Sequence, residues 1–297
     1  MNNDLKKTKR IKANSPMVRI MKFGIYAPNF GDAFGNPKRV TELAIEAEKA
    51  GWDGFFLWDH IFNTEGFPDT VDPFIALTSV AENTEEIHIG TTVTPLTRRR
   101  PWKLARETVT LDIISEGRLI LGVGLGGSSE FGLMNEETNP RKMAEMANEH
   151  LEILCGLWSG EDFSYEGKYY KIDKVKFRPR PVQKPRIKLW GAGTWPKKGP
   201  FKRAAKLDGV VPLSEHYTNP LTPDDYRKMI EYMEKHGLGY PYDVVEISFD
   251  ATKSSDKEKA ILDFQDAGVN WWLELVSDWN GSYETIKGII MQGPSQI

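Results

Sequence analysis

Residues 87–127 constrain the fold of this chain more than any other stretch. An apolar run, IHIGTTVTPL, is followed by a basic turn that ends at Pro101, an amphipathic helical pattern and a Ser-Glu-Gly turn. A second apolar run, LILGVGLGG, ends in glycines. Both runs are continuous rather than alternating, which is typical of parallel strands that are covered on both faces. The stretch therefore predicts a strand, a helix and a second, parallel strand, with glycines at the strand end that leave room for a ligand.

The same alternation continues along the chain. Strands are predicted at residues 22–26, 54–58, 87–92, 119–123, 187–190, 209–212, 244–249 and 271–276. Helical patterns separate them, and the first of these stops at Gly51, a residue type that commonly ends helices. Eight strand and helix units predict an α/β fold of the (β/α)8 TIM-barrel class. A doubly wound open sheet is the competing fold, but no phosphate fingerprint follows the first strand.

Two segments depart from the simple alternation. Residues 160–185 are rich in aromatic residues, lysine and proline and are too long for an ordinary connection, so they predict an insertion before the fifth strand. Residues 1–20 begin with a polar, lysine-rich stretch that has no periodicity, so we expect a disordered N-terminal extension. The remainder, residues 21–297, is long enough for a single barrel domain, which needs about 250 residues.

Composition excludes several classes of function. The 39 basic and 42 acidic residues nearly balance, which leaves no electrostatic footprint for nucleic acid. A single cysteine excludes an internal disulfide framework and a cysteine-based zinc site, and it suits a reducing compartment such as the cytoplasm. No apolar run approaches the roughly 20 residues that cross a bilayer. We therefore expect a cytoplasmic protein with no membrane or nucleic-acid partner.

In a barrel, function lies at the carboxyl ends of the strands. His60 follows the second predicted strand directly, behind Trp58 and Asp59. A neutral imidazole at that place can hydrogen-bond a polar ring and exchange a proton near neutral pH. The alternative is a loop histidine without chemistry. No second strand end carries the further histidines or carboxylates that a metal-dependent hydrolase needs, so no metal site is expected.

Two more strand ends carry small or polar residues. The third strand ends in Gly-Thr-Thr-Val-Thr-Pro at residues 90–95, which by itself fits a plain strand and a Thr-Pro turn. The fifth is followed by Gly191, Ala192, Gly193 and Thr194, and small residues let backbone N–H groups approach a phosphate. Arg98, Arg99 and Arg100 open a helix, and we expect them to pair with Asp112 or Glu107 rather than with a ligand.

These features together resemble the bacterial luciferase-like superfamily, whose members are TIM-barrel oxidoreductases that use FMN or the deazaflavin F420. The resemblance covers almost all of residues 22–291. It implies that His60 contacts the flavin-type ring and assists proton movement, and that Asp59 touches the cofactor. It further implies a bulge with a non-proline cis peptide at Thr92–Val93 that backs the ring. The cofactor phosphate then lies at Gly191, Ala192, Gly193 and Thr194, and the insertion covers part of the mouth and contains a short hairpin before the fifth strand. The alternative is a surface hairpin that packs only on the outer helices.

Departures from the family narrow the activity. Members that oxidise sugar phosphates with F420 carry a tryptophan and a glutamate at positions that read Thr64 and Gly127 here, although Glu130 could reach the mouth instead. The resemblance therefore implies a monooxygenase that uses reduced FMN and dioxygen on a small organic substrate, with a separate reductase and a homodimeric assembly as further expectations. The first alternative is an F420-dependent oxidoreductase that transfers hydride without oxygen. The second, from another class, is a barrel that binds a flavin without catalysis.

Overall fold

The computed structural model describes residues 21–63, 66, 69–126, 129–215, 219–249 and 257–295. The expected N-terminal extension and the positions Thr64 and Gly127 lie outside these residues. The strands are β1 Lys22–Ala27, β2 Gly54–Leu57, β3 His88–Pro95, β4 Leu119–Gly124, β5 Asp162–Glu166, β6 Lys171–Lys176, β7 Lys188–Trp195, β8 Gly209–Ser214, β9 Asp243–Ser248 and β10 Trp271–Leu275. The helices are α1 Gly31–Phe34, α2 Pro37–Lys49, α3 Pro73–Glu82, α4 Pro101–Ile114, α5 Ser129–Leu133, α6 Pro140–Trp158, α7 Lys198–Ala204, α8 Pro223–Glu234, α9 Lys257–Asp266 and α10 Tyr283–Met291.

Eight of the strands close into a parallel barrel in the order β1, β10, β9, β8, β7, β4, β3, β2. Each of the eight predicted strands corresponds to one barrel strand, so the predicted (β/α)8 class is confirmed. The remaining two, β5 and β6, form an antiparallel hairpin between α6 and β7. The insertion before the fifth barrel strand is therefore confirmed as well.

The hairpin packs on an outer helix. Glu149 of α6 accepts hydrogen bonds from the backbone N–H groups of Lys168, Tyr169 and Tyr170 in the hairpin turn. No described residue of the hairpin is among those that line the barrel mouth. The structure therefore favours a surface hairpin over the mouth cover that the resemblance implies.

Local sequence fixes where several helices begin. Four of them start with a capping residue followed by proline, and the side chain of each capping residue accepts a backbone N–H of the first turn: Asn36, Asp72, Asn139 and Thr222. Proline suits the first helical position because its missing N–H would have no partner there. Among the described residues, none of the helices combines the length and apolar composition that a membrane span requires.

The barrel interior is filled by side chains, so it is not a pore. Phe56, Trp190 and Trp271 contact one another with ring centroids 5.1 to 5.7 Å apart. Tyr26 and aliphatic residues of β4, β8, β9 and β10 complete this inner cluster, and a larger cluster lies between the strands and the helices. Because these large rings fill the barrel interior, the cavity described below lies above them, at the carboxyl ends of the strands.

Candidate active site

A cavity of about 590 Å³ opens at the carboxyl ends of the strands, within the usual range for small-molecule sites. Seven of the eight barrel strands, or the loops that follow them, contribute to its lining, with Tyr26, Trp58, Thr92, Gly124, Ala192, Leu213 and Phe249 among the lining residues. The predicted site residues after β2, Asp59 and His60, line this cavity, and so do Thr92 and Val93 of β3. Three of the four residues predicted in β7 also line it. The structure therefore brings together at one cavity residues that the sequence placed on separate strands.

His60 is held at the rim of this cavity. The side chain of Asn29 donates to the His60 carbonyl over 2.8 Å and accepts the His60 N–H over 3.0 Å. The imidazole packs against the rings of Phe30 and Trp58, and its Nδ1 lies 3.6 Å from Oε2 of Glu130. The side chain is 30% exposed. These contacts fix the ring while one edge stays accessible, as a proton-transfer group requires.

Glu130 lies at the mouth beside His60. It is only 4% exposed, lies in α5 just after β4, and lines the cavity. Its carboxylate accepts the Ile61 N–H over 3.1 Å and pairs with Arg98. The expectation that Glu130 reaches the mouth is confirmed. The only sequence signal for it was an acidic residue shortly after a glycine turn.

Asp59 is almost completely buried and faces two arginines rather than open space. Its carboxylate accepts from Arg98 over 2.9 Å and from Arg99 over 2.8 and 3.1 Å. Burial lowers the pKa of Arg99, but the charge of Asp59 and the hydrogen bonds between them raise it above its ordinary value overall. Asp59 borders the cavity, yet both of its carboxylate oxygens are already occupied. Contact of Asp59 with a cofactor stays a prediction.

Of the two carboxylates expected to pair with residues 98–100, one is confirmed. Arg99 lies 3.7 Å from Glu107, one of the two expected carboxylates. Pairing with Asp112 is wrong, because that carboxylate accepts the N–H groups of Val182 and Gln183 instead. Asp112 stands near the far end of α4, roughly 17 Å along the helix axis from its first residue at 1.5 Å per residue. Arginines that precede the helix cannot reach it.

The end of β3 has the backbone that the resemblance implies. The peptide bond between Thr92 and Val93 is cis, and the register with β4 shifts between Thr91 and Thr94. The hydroxyls of Thr91 and Thr94 bond each other over 2.7 Å. Thr92, 3% exposed, has a hydroxyl without a hydrogen-bond partner among the described residues. Thr92 and Val93 both line the cavity.

The residues at the end of β7 divide into two groups. Ala192, Gly193 and Thr194 line the cavity, whereas Gly191 does not. A Cβ at Gly191 would lie 2.9 Å from Cβ of Ala204, and one at Gly193 would lie 2.4 Å from Cβ of Pro200. Both glycines are therefore required by the close approach of α7 to the strand. Phosphate binding at residues 191–194 stays a prediction.

Comparison with known proteins identifies the family of this chain. The model of the luciferase-like monooxygenase family matches residues 21–239. The chain belongs to that family. Over 178 residues it is 32% identical to an F420-dependent glucose-6-phosphate dehydrogenase of Microbacterium testaceum, covering 58% of this chain and 52% of the relative. Over 163 residues it is 27% identical to the oxygenase component of a flavin-dependent trigonelline monooxygenase of Acinetobacter baylyi, covering 54% and 44%.

The solved structures agree on the fold. The F420-dependent tetrahydromethanopterin reductase of Methanopyrus kandleri superposes with a TM-score of 0.69 at 19% identity, over 92% of this chain and 98% of that one. At this identity the match shows the barrel alone. The chain spans about half the length of the curated relatives it matches. The activity of the whole protein is therefore a matter for proposal.

Proposed function

We propose that this chain is an oxidoreductase that binds reduced FMN in the cavity at the strand ends and, with dioxygen, oxygenates a small organic substrate. The observation that carries the proposal is a pair of buried polar atoms with no hydrogen-bond partner among the described residues, Oγ1 of Thr92 and Nε1 of Trp58. Both residues line the same cavity as His60. Buried polar groups are normally bonded, so two orphaned ones in one cavity indicate a ligand with polar atoms.

The residues present fit a flavin-type cofactor. Thr92 offers a hydroxyl from the bulge of β3, and the end of β7 offers small residues on which a phosphate can approach the backbone. FMN supplies the redox chemistry when it is bound, and the protein supplies binding, orientation and exclusion of water. The cavity walls include Val93, Leu125 and Phe131, which keep the reacting centre apolar.

His60 is the residue we assign to proton transfer. Glu130 faces Nδ1 of the imidazole, so the tautomer with hydrogen on Nδ1 leaves Nε2 available to the bound molecules. Asn29 holds the His60 backbone from both sides. Since Glu130 is itself held by Arg98 and the Ile61 N–H, the imidazole is oriented before any ligand binds.

The alternative cofactor is F420, which uses the same cavity to pass hydride without oxygen. The relative from Microbacterium testaceum, an F420-dependent dehydrogenase, favours it. The relative from Acinetobacter baylyi is an oxygenase component, and it supports a separate reductase that delivers reduced flavin. Assembly as a homodimer and location in the cytoplasm stay predictions.

The test begins with equilibrium titration of the purified chain with FMN and F420, each oxidised and reduced, followed by absorbance. Rapid mixing with dioxygen then measures reoxidation of the cofactor that binds, and hydride transfer is measured instead if that cofactor is F420. Replacement of His60 by alanine is expected to slow turnover by about 10²–10⁴ while the cofactor still binds. His236→Ala is the matched control, because this histidine lies past the end of α8 with its Nδ1 at the Tyr232 carbonyl. Binding without turnover would show a non-catalytic barrel.

A further inference from the structure

Four aromatic side chains form a connected cluster beside the mouth, and two of them, Tyr26 and Trp58, line the cavity itself. This aromatic wall consists of Tyr26, Phe30, Trp58 and Trp279. Trp58 is at its centre, with ring centroids 5.3 Å from Tyr26, 5.7 Å from Phe30 and 6.1 Å from Trp279. The His60 ring lies 5.7 Å from Trp58. The wall therefore borders the residue that we assign to proton transfer.

The wall stands across the barrel from the predicted phosphate position. Its members come from β1 and from the segments that follow β1, β2 and β10, which are neighbours in the closed barrel. Strand β7 is four strands away from β1 in either direction. With the cofactor phosphate at β7, we place a second molecule on the opposite side of the cavity.

The indole N–H of Trp58 indicates which kind of atom the second molecule places against the wall. Its Nε1 is buried and has no acceptor among the described residues. Indole N–H is a donor only, so a molecule that lies against the wall satisfies it with a carbonyl oxygen or another acceptor. The faces of the neighbouring rings favour a planar aromatic partner in stacked or edge-on contact.

The charged side chains near the aromatic wall already have partners, which disfavours an ionic substrate on that side of the cavity. Among the described lining residues, four side chains can carry charge, and each has an oppositely charged partner. Asp59 and Glu130 pair with Arg98, His60 faces Glu130, and the Lys197 ammonium lies 3.1 Å from Glu215. On the side of the aromatic wall no described cation is left for a substrate phosphate or carboxylate, whereas Lys197, with a side chain that is 62% exposed, lies beside the residues at which the cofactor phosphate is proposed. A cationic ring would meet the positive end of the Trp58 N–H.

We propose that the aromatic wall is the substrate side of the cavity and that it takes an uncharged, planar aromatic molecule with a hydrogen-bond acceptor for Nε1 of Trp58. This inference rests on the function proposed above and names its substrate class. It excludes sugar phosphates, although sequence relatives of this chain carry the name of a sugar-phosphate dehydrogenase. Trp58 becomes a specificity-determining residue.

The test measures binding of four probes by equilibrium dialysis, with and without saturating FMN. Coumarin is planar and neutral with a carbonyl acceptor, and naphthalene has a similar shape without one. Glucose 6-phosphate represents anionic substrates and N-methylnicotinate represents cationic rings with a carboxylate. We expect coumarin to bind about 10-fold more tightly than naphthalene, the contribution of one hydrogen bond, and more tightly than either charged probe. Equal or tighter binding of a charged probe would overturn the proposal.

Variants then locate the interaction. Trp58→Phe keeps a ring and removes the donor, so coumarin affinity should fall about 10-fold while naphthalene affinity changes less than about 3-fold. Trp102→Phe is the matched control, since Trp102 is an exposed tryptophan outside the cavity lining. Trp279→Ala removes a ring that is 54% exposed and that contacts Trp58 from outside the cavity lining, so folding is retained and coumarin affinity should fall about 3-fold because Trp58 loses part of its support. Circular dichroism confirms the fold of each variant.

The outcomes separate this inference from the function. Failure of wild type to bind FMN or F420 would remove the proposed function, whatever coumarin does. Tight FMN binding together with unchanged coumarin affinity in both Trp58→Phe and Trp279→Ala would overturn the aromatic wall as the substrate side. Loss of FMN affinity in Trp58→Phe by the same factor as coumarin affinity would assign Nε1 to the cofactor and also overturn it.

Discussion

Thr92→Val tests whether the buried hydroxyl at the bulge of β3 serves a bound molecule or the fold. Thr92 is 3% exposed, and its Oγ1 has no partner among the described residues. An unsatisfied buried hydroxyl costs about 1–3 kcal/mol. Valine has nearly the same shape without the hydroxyl, so the variant should be more stable than wild type in the absence of ligand.

The magnitude follows from that cost. We expect the free energy of unfolding to rise by about 1–2 kcal/mol, which raises Tm by about 2–8 °C in a domain of this size. Cofactor affinity should move the other way and weaken about 5- to 10-fold, because one hydrogen bond to the ligand is lost. A stabilised protein with weaker binding is the signature of a polar group that serves function.

Thr91→Val is the matched control one residue away. Thr91 is fully buried like its neighbour, but its hydroxyl bonds that of Thr94 over 2.7 Å. Its removal leaves the Thr94 hydroxyl unpaired, so this variant should lose about 1–2 kcal/mol of unfolding free energy. Calorimetry without ligand measures both stabilities, and titration with FMN or F420 measures affinity. If Thr92→Val is destabilised as much as Thr91→Val and binds cofactor normally, the hydroxyl has no ligand role.

Three further perturbations probe buried charge. Arg98→Met should lower the free energy of unfolding by about 3–5 kcal/mol, because it leaves Asp59 and Glu130 buried without their shared partner; chemical denaturation measures this, and a loss below 1 kcal/mol would contradict it. Burial raises the pKa of Glu246 to about 8, so the stability that the protonated carboxyl contributes is lost as pH rises from about 4.5 to about 8. Glu246→Gln should therefore make the free energy of unfolding less dependent on pH in that range. Burial lowers the pKa of His150 to about 3, so stability is lost as pH falls from about 6.5 towards 3, and His150→Leu should remove that acid sensitivity. Thermal unfolding at a series of pH values measures both effects. If either variant has the same pH dependence as wild type, the assignment of that residue is wrong.

The position of the site residues followed from local pattern. His60 comes directly after an apolar run, and the barrel class places every such position at one end of the molecule. Helix starts such as Asn36 before Pro37 are likewise local, because the cap and its partners lie within a few positions of each other. The carboxyl-end cavity was therefore predictable before any contact between strands was known.

The tertiary structure alone decided which partners each side chain has. Asp59 looks like a cofactor ligand by its place beside His60, yet Arg98 and Arg99 occupy its carboxylate. Gly191 looks like part of a phosphate loop, yet the nearest atoms to its missing side chain belong to α7.

The aromatic wall depends on closure of the barrel, which brings β1 and β10 together from opposite ends of the sequence. Across that closure the Ala33 N–H donates to Asp278 over 245 positions, and Trp279 reaches Trp58 beside it. Periodicity along the chain reports which face of an element is buried, but it contains no information on which distant side chain meets that face. Strand order and packing supply this information, and with it the electrostatic neutrality and aromatic lining of the mouth.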